Sequence, residues 1–308
     1  MSDGYFPRGS SILRRVHGER AVGLLYGQRA LMLGALNPLA FIGTTQRSKA
    51  HNAPWRRLTH TAQMFEAVFF GTRAEADKAL AFTRRLHERV VGEIPAPAGP
   101  YPAGTPYSAL DPELMLWVVA PMYDSARVLY ETLVRPLSAD EREQLWQEYL
   151  LFGELFGMPR DAAPASAAQL DVWWDEQLHS DGIFLTPVAR AVGRSIGFKL
   201  PVPLPAKPLM RGASLVLTGS LPAPVRERYG LRWSAADELA YRALTRSVRL
   251  GRPLVPRPVR RGSCMPFYHL VARTERANAA PLHGVREAGS LVAGRKLPGD
   301  VGDRRRAT

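Results

Sequence analysis

Seven histidines and a single cysteine, Cys264, set the limits on the chemistry open to this chain. One cysteine excludes an internal disulfide framework and any cysteine-rich zinc or iron–sulfur site. His17, His51, His179, His269 and His283 each stand apart from other candidate ligands, which is the usual situation of a structural or surface histidine. His60 and His87 differ. Both fall in strongly amphipathic stretches joined by one tight turn at Gly71-Thr72. Two adjacent antiparallel helices can each present a side chain to the space between or beside them. Such a pair suits a haem iron, where an imidazole nitrogen donates to the metal and apolar walls hold the porphyrin. A non-haem iron triad would also need a neighbouring carboxylate, and none is evident.

The elements that must position these residues read as helices separated by proline-rich loops. Leu13 to Leu36 is apolar at helical spacing and stops at Asn37-Pro38, because proline disfavours helical geometry in the residue before it. Pro54 opens a helix through Trp55, Leu58, Ala62, Phe65 and Phe69, which Gly71 ends. The next begins at Thr72 or Arg73 and carries Ala76, Leu80, Thr83, Leu86, His87 and Val90 before Gly92. Ile94 to Pro106 is a loop rich in proline and glycine. Asp111-Pro112 starts a long apolar helix that ends near Arg135-Pro136, and Ser138 with Glu141 forms a capping-box pattern for a helix over 139–156. Weaker helices are expected over 167–179, 187–198, 205–218 and 235–250. Alternating strand-like runs are almost absent. The fold expected is all-α, a single multi-helix domain over 1–250, followed by a loosely structured tail over 251–308.

Charge supports that division. Of a net +13, residues 251–308 hold twelve Lys/Arg against four Asp/Glu, or +8, and the body holds 29 against 24, or +5. The excess therefore lies in a Pro/Gly/Arg-rich segment, expected to be solvated and to offer at most a peripheral contact with an anionic membrane. No Gly-rich phosphate loop, zinc-finger spacing or helix-turn-helix is present, so no specific nucleic-acid binding is expected. The start of the chain lacks the apolar run and cleavage site of a signal peptide. The most apolar stretch, Ala21 to Thr45, is broken by Gln28, Arg29, Asn37 and Pro38, short of the ~20 residues a spanning helix needs. A bacterial, cytoplasmic protein is the expectation.

A wider pattern joins these parts. Residues 30–71 contain "ALNPLAFIG…WRRLTHTAQMFEAVFFG", followed by "TRRLHERVVG" at Thr83–Gly92, the long "YSALDPELMLWVVAPMYDSARVLYETLVRPLSADEREQLWQEYLLFGELFGMP" and the later "PVPLPAKPLM". In order and spacing, over roughly Val16 to Leu250, these resemble the MpaB/rubber-oxygenase catalytic-domain family, which includes latex-clearing proteins. The resemblance implies an all-helical fold around haem b and an oxygenase that takes O2 and an apolar substrate, isoprenoid or otherwise unsaturated and lipid-like. It implies His87 as the iron's ligand, in a His-x-x-Val segment before a loop. It sets Arg57, His60 and Thr61 on the family's distal Arg-x-x-Lys-Thr motif as catalytic and haem-binding residues, with His60 in the lysine's place. A histidine with pKa near ~6.5 needs little adjustment to ligate ferric iron, or to donate to bound O2, at neutral pH.

Two departures accompany the resemblance. Val119 stands where many relatives carry histidine in an "LWVHA" segment, and no Asp or Glu lies between Arg20 and Phe65, where the rubber oxygenases keep a glutamate base. The alternative is a haem-binding helical protein without turnover, a sensor, carrier or interaction module. Plainer roles also stand beside the catalytic ones. Arg57 can be a surface cation beside Arg56, Thr61 can bond back to its own helix, Asp124, Arg127 and Glu131 can form an exposed ion pair, and Trp117, Trp146, Trp173 and Trp174 can be core and rim. Removal of the chain from about Pro256 is expected to leave folding nearly unchanged.

Overall fold

The computed structural model describes residues 4–46, 54–201 and 207–279. Fourteen α-helices account for nearly all regular structure among these residues. The first five are α1 (Ile12–His17), α2 (Arg20–Gly34), α3 (Pro38–Gln46), α4 (Pro54–Phe70) and α5 (Arg73–His87). A small antiparallel ladder follows, pairing β1 (Val91–Glu93) with β2 (Pro106–Ser108) in the register Gly92 to Tyr107 and closing off the proline-rich loop. Then come α6 (Pro112–Leu133), α7 (Ala139–Leu155), α8 (Ala167–His179), α9 (Pro187–Phe198), α10 (Lys207–Ser220), α11 (Ala223–Tyr229) and α12 (Ala235–Gly251). The chain continues into α13 (Arg257–Arg260) and α14 (Met265–Ala279). The fold is all-α. Among the described residues no helix is long and apolar enough to cross a membrane.

The boundaries follow local chemistry. Thr72 accepts from the Glu75 amide while Glu75 returns a bond to the Thr72 amide, a reciprocal cap that starts α5. Ser138 and Glu141 do the same for α7, and the Asp111 carboxylate caps α6. At the centre, α2 lies along α6. There the fully buried Arg29 donates to Asp124 (2.7 Å), to Ser125 (3.0 Å) and to the Ser220 carbonyl (2.8 Å). Asp124 also takes a bond from Arg127, which pairs with Glu131. These carboxylates and guanidiniums thus form a largely buried network that pins α2 to α6, rather than an exposed pair. Trp117, Trp146 and Trp174 are buried and Trp173 half-buried, in core and rim positions.

Two expectations are corrected. Leu13 to Leu36 is not one helix: the chain breaks at Gly18-Glu19 between α1 and α2. The cause is tertiary. The Glu19 carboxylate is buried and accepts from Arg252 and from Arg261, each at 2.7 Å, which holds its pKa below the ordinary carboxylate value against the cost of burial. The packed body also does not end at 250. In α14, Tyr268 and Val271 are buried, and the Glu275 carboxylate accepts from the Trp55 and Arg56 amides, capping α4 from far along the chain. Residues 280–308, the rest of the expected tail, lie outside the described residues.

Candidate active site

The α4–α5 hairpin sets the geometry of the predicted residues. Met64 of α4 and Thr83 of α5 touch, sulfur to hydroxyl. From that contact, Arg57, Thr61, Met64 and Val68 form one stripe of α4 at helical spacing. Ala76, Leu80, Thr83 and His87 form the matching stripe of α5, and the two run antiparallel. His87 is thus the last residue of α5's core-facing stripe, at the open end of the hairpin where Arg57 and Thr61 also lie. Its ring packs near Phe156, with centroids 6.4 Å apart. Its Nδ1 is buried with no hydrogen-bond partner among the described residues. Burial lowers its pKa below the usual histidine value, so the imidazole is neutral at physiological pH.

The other three predicted residues are placed unequally. Arg57 is exposed, like its neighbour Arg56, although desolvation by nearby atoms lowers its guanidinium pKa. The Thr61 hydroxyl donates to the Arg57 carbonyl (3.3 Å), the plainer of its two expected roles, while the residue also lines a cavity. His60 sits at the level of His87 but beside the stripe, and its side chain is exposed. By helical counting Arg57 and Thr61 fall on the α4 stripe that runs antiparallel to the α5 stripe ending in His87, and His60 falls beside it; Arg57 and His60 are both exposed. His179 is exposed and bonds its own helix at the Asp175 carbonyl. His51 and His283 lie outside the described residues. Among the described residues no three His, Cys, Asp or Glu side chains gather to hold a metal ion.

The structure adds a histidine that sequence reasoning passed over. His17, at the end of α1, hydrogen-bonds through Nε2 with the Tyr149 hydroxyl at 2.7 Å, and Tyr149 donates onward to Tyr26 at 3.2 Å. Tyr26 stands edge-on to the imidazole at 4.5 Å and Phe69 lies against it at 4.7 Å. His17 borders a cavity of about 70 Å³ between α2, α4 and α14, lined also by Thr61, Phe65, Glu66, Phe69 and Met265. A signal existed: His17 follows Leu13 by one turn on a helix whose apolar residues are all buried. Glu66, just past the carboxylate-free stretch, is the one acidic residue in this lining. Rings connect the two half-buried histidines, from Phe69 to Phe152 (5.2 Å) and from Phe152 to Phe156 (4.8 Å).

Burial lowers the His17 pKa from 6.5 to about 3. The unfolded chain therefore binds a proton that the folded protein refuses. The resulting stabilisation is complete above pH 6.5 and is lost as pH falls from there towards 3. Between pH 7.5 and 5 the loss is about 2 kcal/mol. His17→Phe fills the same space without the titration, so its melting temperature should fall less than the wild type's over that range, by ~4–8 °C. Parallel melting curves against pH would remove His17 from the account.

Comparison with known proteins agrees with this architecture. Residues 14–250 match the family described as ER-bound oxygenase mpaB/B′/Rubber oxygenase, catalytic domain. Uncharacterized proteins of Mycobacterium bovis and of Mycobacterium tuberculosis are each 26% identical over 206 residues, covering 66% of this chain and 76% of the relative. No solved structure matches the chain. The match spans α1 to α12 and includes Arg57, His60, Thr61 and His87, and the chain belongs to the MpaB/rubber-oxygenase catalytic-domain family.

Proposed function

We propose that this member of an oxygenase family is a haem b-dependent enzyme acting with O2 on an apolar, unsaturated substrate. The observation that carries the reading is His87, a neutral imidazole at the end of α5 whose buried Nδ1 has no hydrogen-bond partner among the described residues. Leaving a buried polar atom unsatisfied costs about 1–3 kcal/mol. An imidazole with a ring nitrogen that no described residue engages is available to a ligand, so the residue fits the group. When bound, haem b supplies O2 binding and the oxidative chemistry. His87 would hold its iron. Arg57 would supply a positive charge to the site. The Thr61 proton is committed to the Arg57 carbonyl, so this hydroxyl offers lone pairs to the site rather than a proton. His60 contributes from the solvent edge, donating to the site's outer side.

The test is a visible absorption spectrum of protein made with adequate haem supply. About one haem per chain is expected. His87→Ala should lose most of it, whereas His179→Ala should not, and equal haem content in the wild type and His87→Ala would sink the assignment. His60→Ala should keep its haem but alter the ferric or oxy spectrum, and unchanged spectra and oxygen consumption would remove His60 from the site. The absence of Asp and Glu between Arg20 and Phe65 favours a second reading, haem binding without turnover. Oxygen uptake on an added alkene separates the two.

A further inference from the structure

From Leu239 to Thr274 the chain carries eight arginines and no aspartate or glutamate. The same stretch holds the three most exposed large hydrophobic side chains among the described residues, Leu254 (87%), Leu239 (71%) and Leu250 (67%). A single exposed leucine is ordinary. Here they recur beside one another. Leu239, Arg246 and Leu250 follow at spacings of seven and four, so they share one stripe of α12. Leu254 and Val255 follow within the next turns of chain, and Val259 in α13 is exposed as well.

This segment is strapped to the body. Arg252 and Arg261 turn inward near its two ends, each donating to the buried Glu19 carboxylate at 2.7 Å. Arg20 donates to the Pro258 and Val259 carbonyls at 3.1 and 2.8 Å, and the Gly262 amide donates to the Gly18 carbonyl at 2.9 Å. With both ends drawn in, every residue from Pro253 to Val259 is left exposed. Arg249 is engaged too, donating to the Glu131 and Thr132 carbonyls near the end of α6. Arg246 and Arg257 are exposed and have no carboxylate partner among the described residues. The outward surface is therefore aliphatic and cationic at once, and its shape is held by the inward arginines.

Its partner must be apolar and anionic over the same area. A second copy would set arginine against arginine, with no acidic residue over 239–274 to relieve the repulsion. A nucleic acid offers phosphates but leaves Leu250 and Leu254 in water. An anionic lipid bilayer offers both, acyl chains to the aliphatic side chains and headgroup phosphates to the arginines. We infer that this chain docks peripherally on an anionic lipid surface. Leu250, Leu254, Val255 and Val259 enter the headgroup boundary, and Arg246 and Arg257 meet lipid phosphates. The family match ends at residue 250, so most of this surface lies in a segment that the match does not reach. The inference is independent of haem and of turnover.

The test is co-sedimentation of the purified full-length chain with vesicles of phosphatidylcholine alone and of phosphatidylcholine with one third phosphatidylglycerol. Saturable binding to the anionic vesicles and little to the neutral ones is expected. Leu254→Ser should weaken binding about tenfold, the worth of one leucine withdrawn from water. Arg257→Gln should weaken it about fivefold and flatten its salt dependence, since the screening length falls from ~10 Å at 0.1 M to ~3 Å at 1 M. Both side chains are exposed, so both variants should melt with the wild type. Val172→Ser removes a comparably exposed side chain from α8 and should bind as the wild type does. Equal binding to both kinds of vesicle, or binding indifferent to Leu254→Ser and Arg257→Gln, would overturn the inference. So would binding to duplex DNA of the same strength that survives Leu254→Ser, which would make this a nucleic-acid surface instead.

Discussion

Ending the chain before Pro256 should unfold it, or lower its melting temperature by more than ~10 °C, although the family match is complete by residue 250. The deleted segment buries Tyr268 and Val271, covers the cavity beside His17 and supplies the cap of α4. Truncating one buried aromatic to alanine costs ~3–5 kcal/mol, and each kcal/mol is worth ~2–4 °C in a domain of this size. Arg261 is lost as well, leaving the buried Glu19 carboxylate with Arg252 alone. Tyr268→Ala is the milder companion and should cost ~3–5 kcal/mol by itself. The measurement is thermal or denaturant unfolding of both variants beside the wild type. A truncated chain that melts within ~3 °C of the full one would show that α14 adds nothing to stability.

Asp124→Ala should be comparably severe, at ~3–5 kcal/mol, because it strands the fully buried Arg29 guanidinium without a counter-charge in the seam between α2 and α6. The Ser220 carbonyl and Ser125 hydroxyl would remain to Arg29, but neither carries charge. Asp124→Asn keeps the shape and one acceptor and should cost less. If both substitutions unfold together with the wild type in urea, the network is incidental to stability. Asp124 lies away from His87 in sequence and structure, so haem uptake by the folded fraction of Asp124→Asn should match the wild type.

The parts of this molecule that could be read in the sequence are those whose signals are local. The hairpin of α4 and α5 announces itself through Gly71, the Thr72–Glu75 cap and two apolar stripes at helical spacing. His87 falls on its stripe by counting alone. α8 and α9 begin and end where capping serine, capping threonine and proline put them. What failed to appear was fixed from a distance. Nothing near Gly18 says that Arg252 and Arg261 will take hold of Glu19 and break the apolar run of residues 13–36. α14 did carry a helical pattern, with Cys264, Met265, Tyr268, Val271, Ala272 and Glu275 on one face. Averaging charge and composition over 251–308 hid it. His60 shows the limit of motif alignment, since a residue that fits a motif by count can still stand on the exposed side of its helix.

The cap on α4 has a consequence in time. Trp55 and Arg56 leave the ribosome about 220 residues before Glu275, the residue that receives their amides. At ~5–20 residues per second, that is a delay of roughly 10–45 s. During that interval the helix bearing Arg57, His60 and Thr61 lacks its Glu275 cap, and the cavity beside His17 lacks a wall. Nascent chains stalled before Glu275 would expose an open cleft to chaperones. Once Glu275 arrives, the cap of α4 and the missing wall from α14 form together.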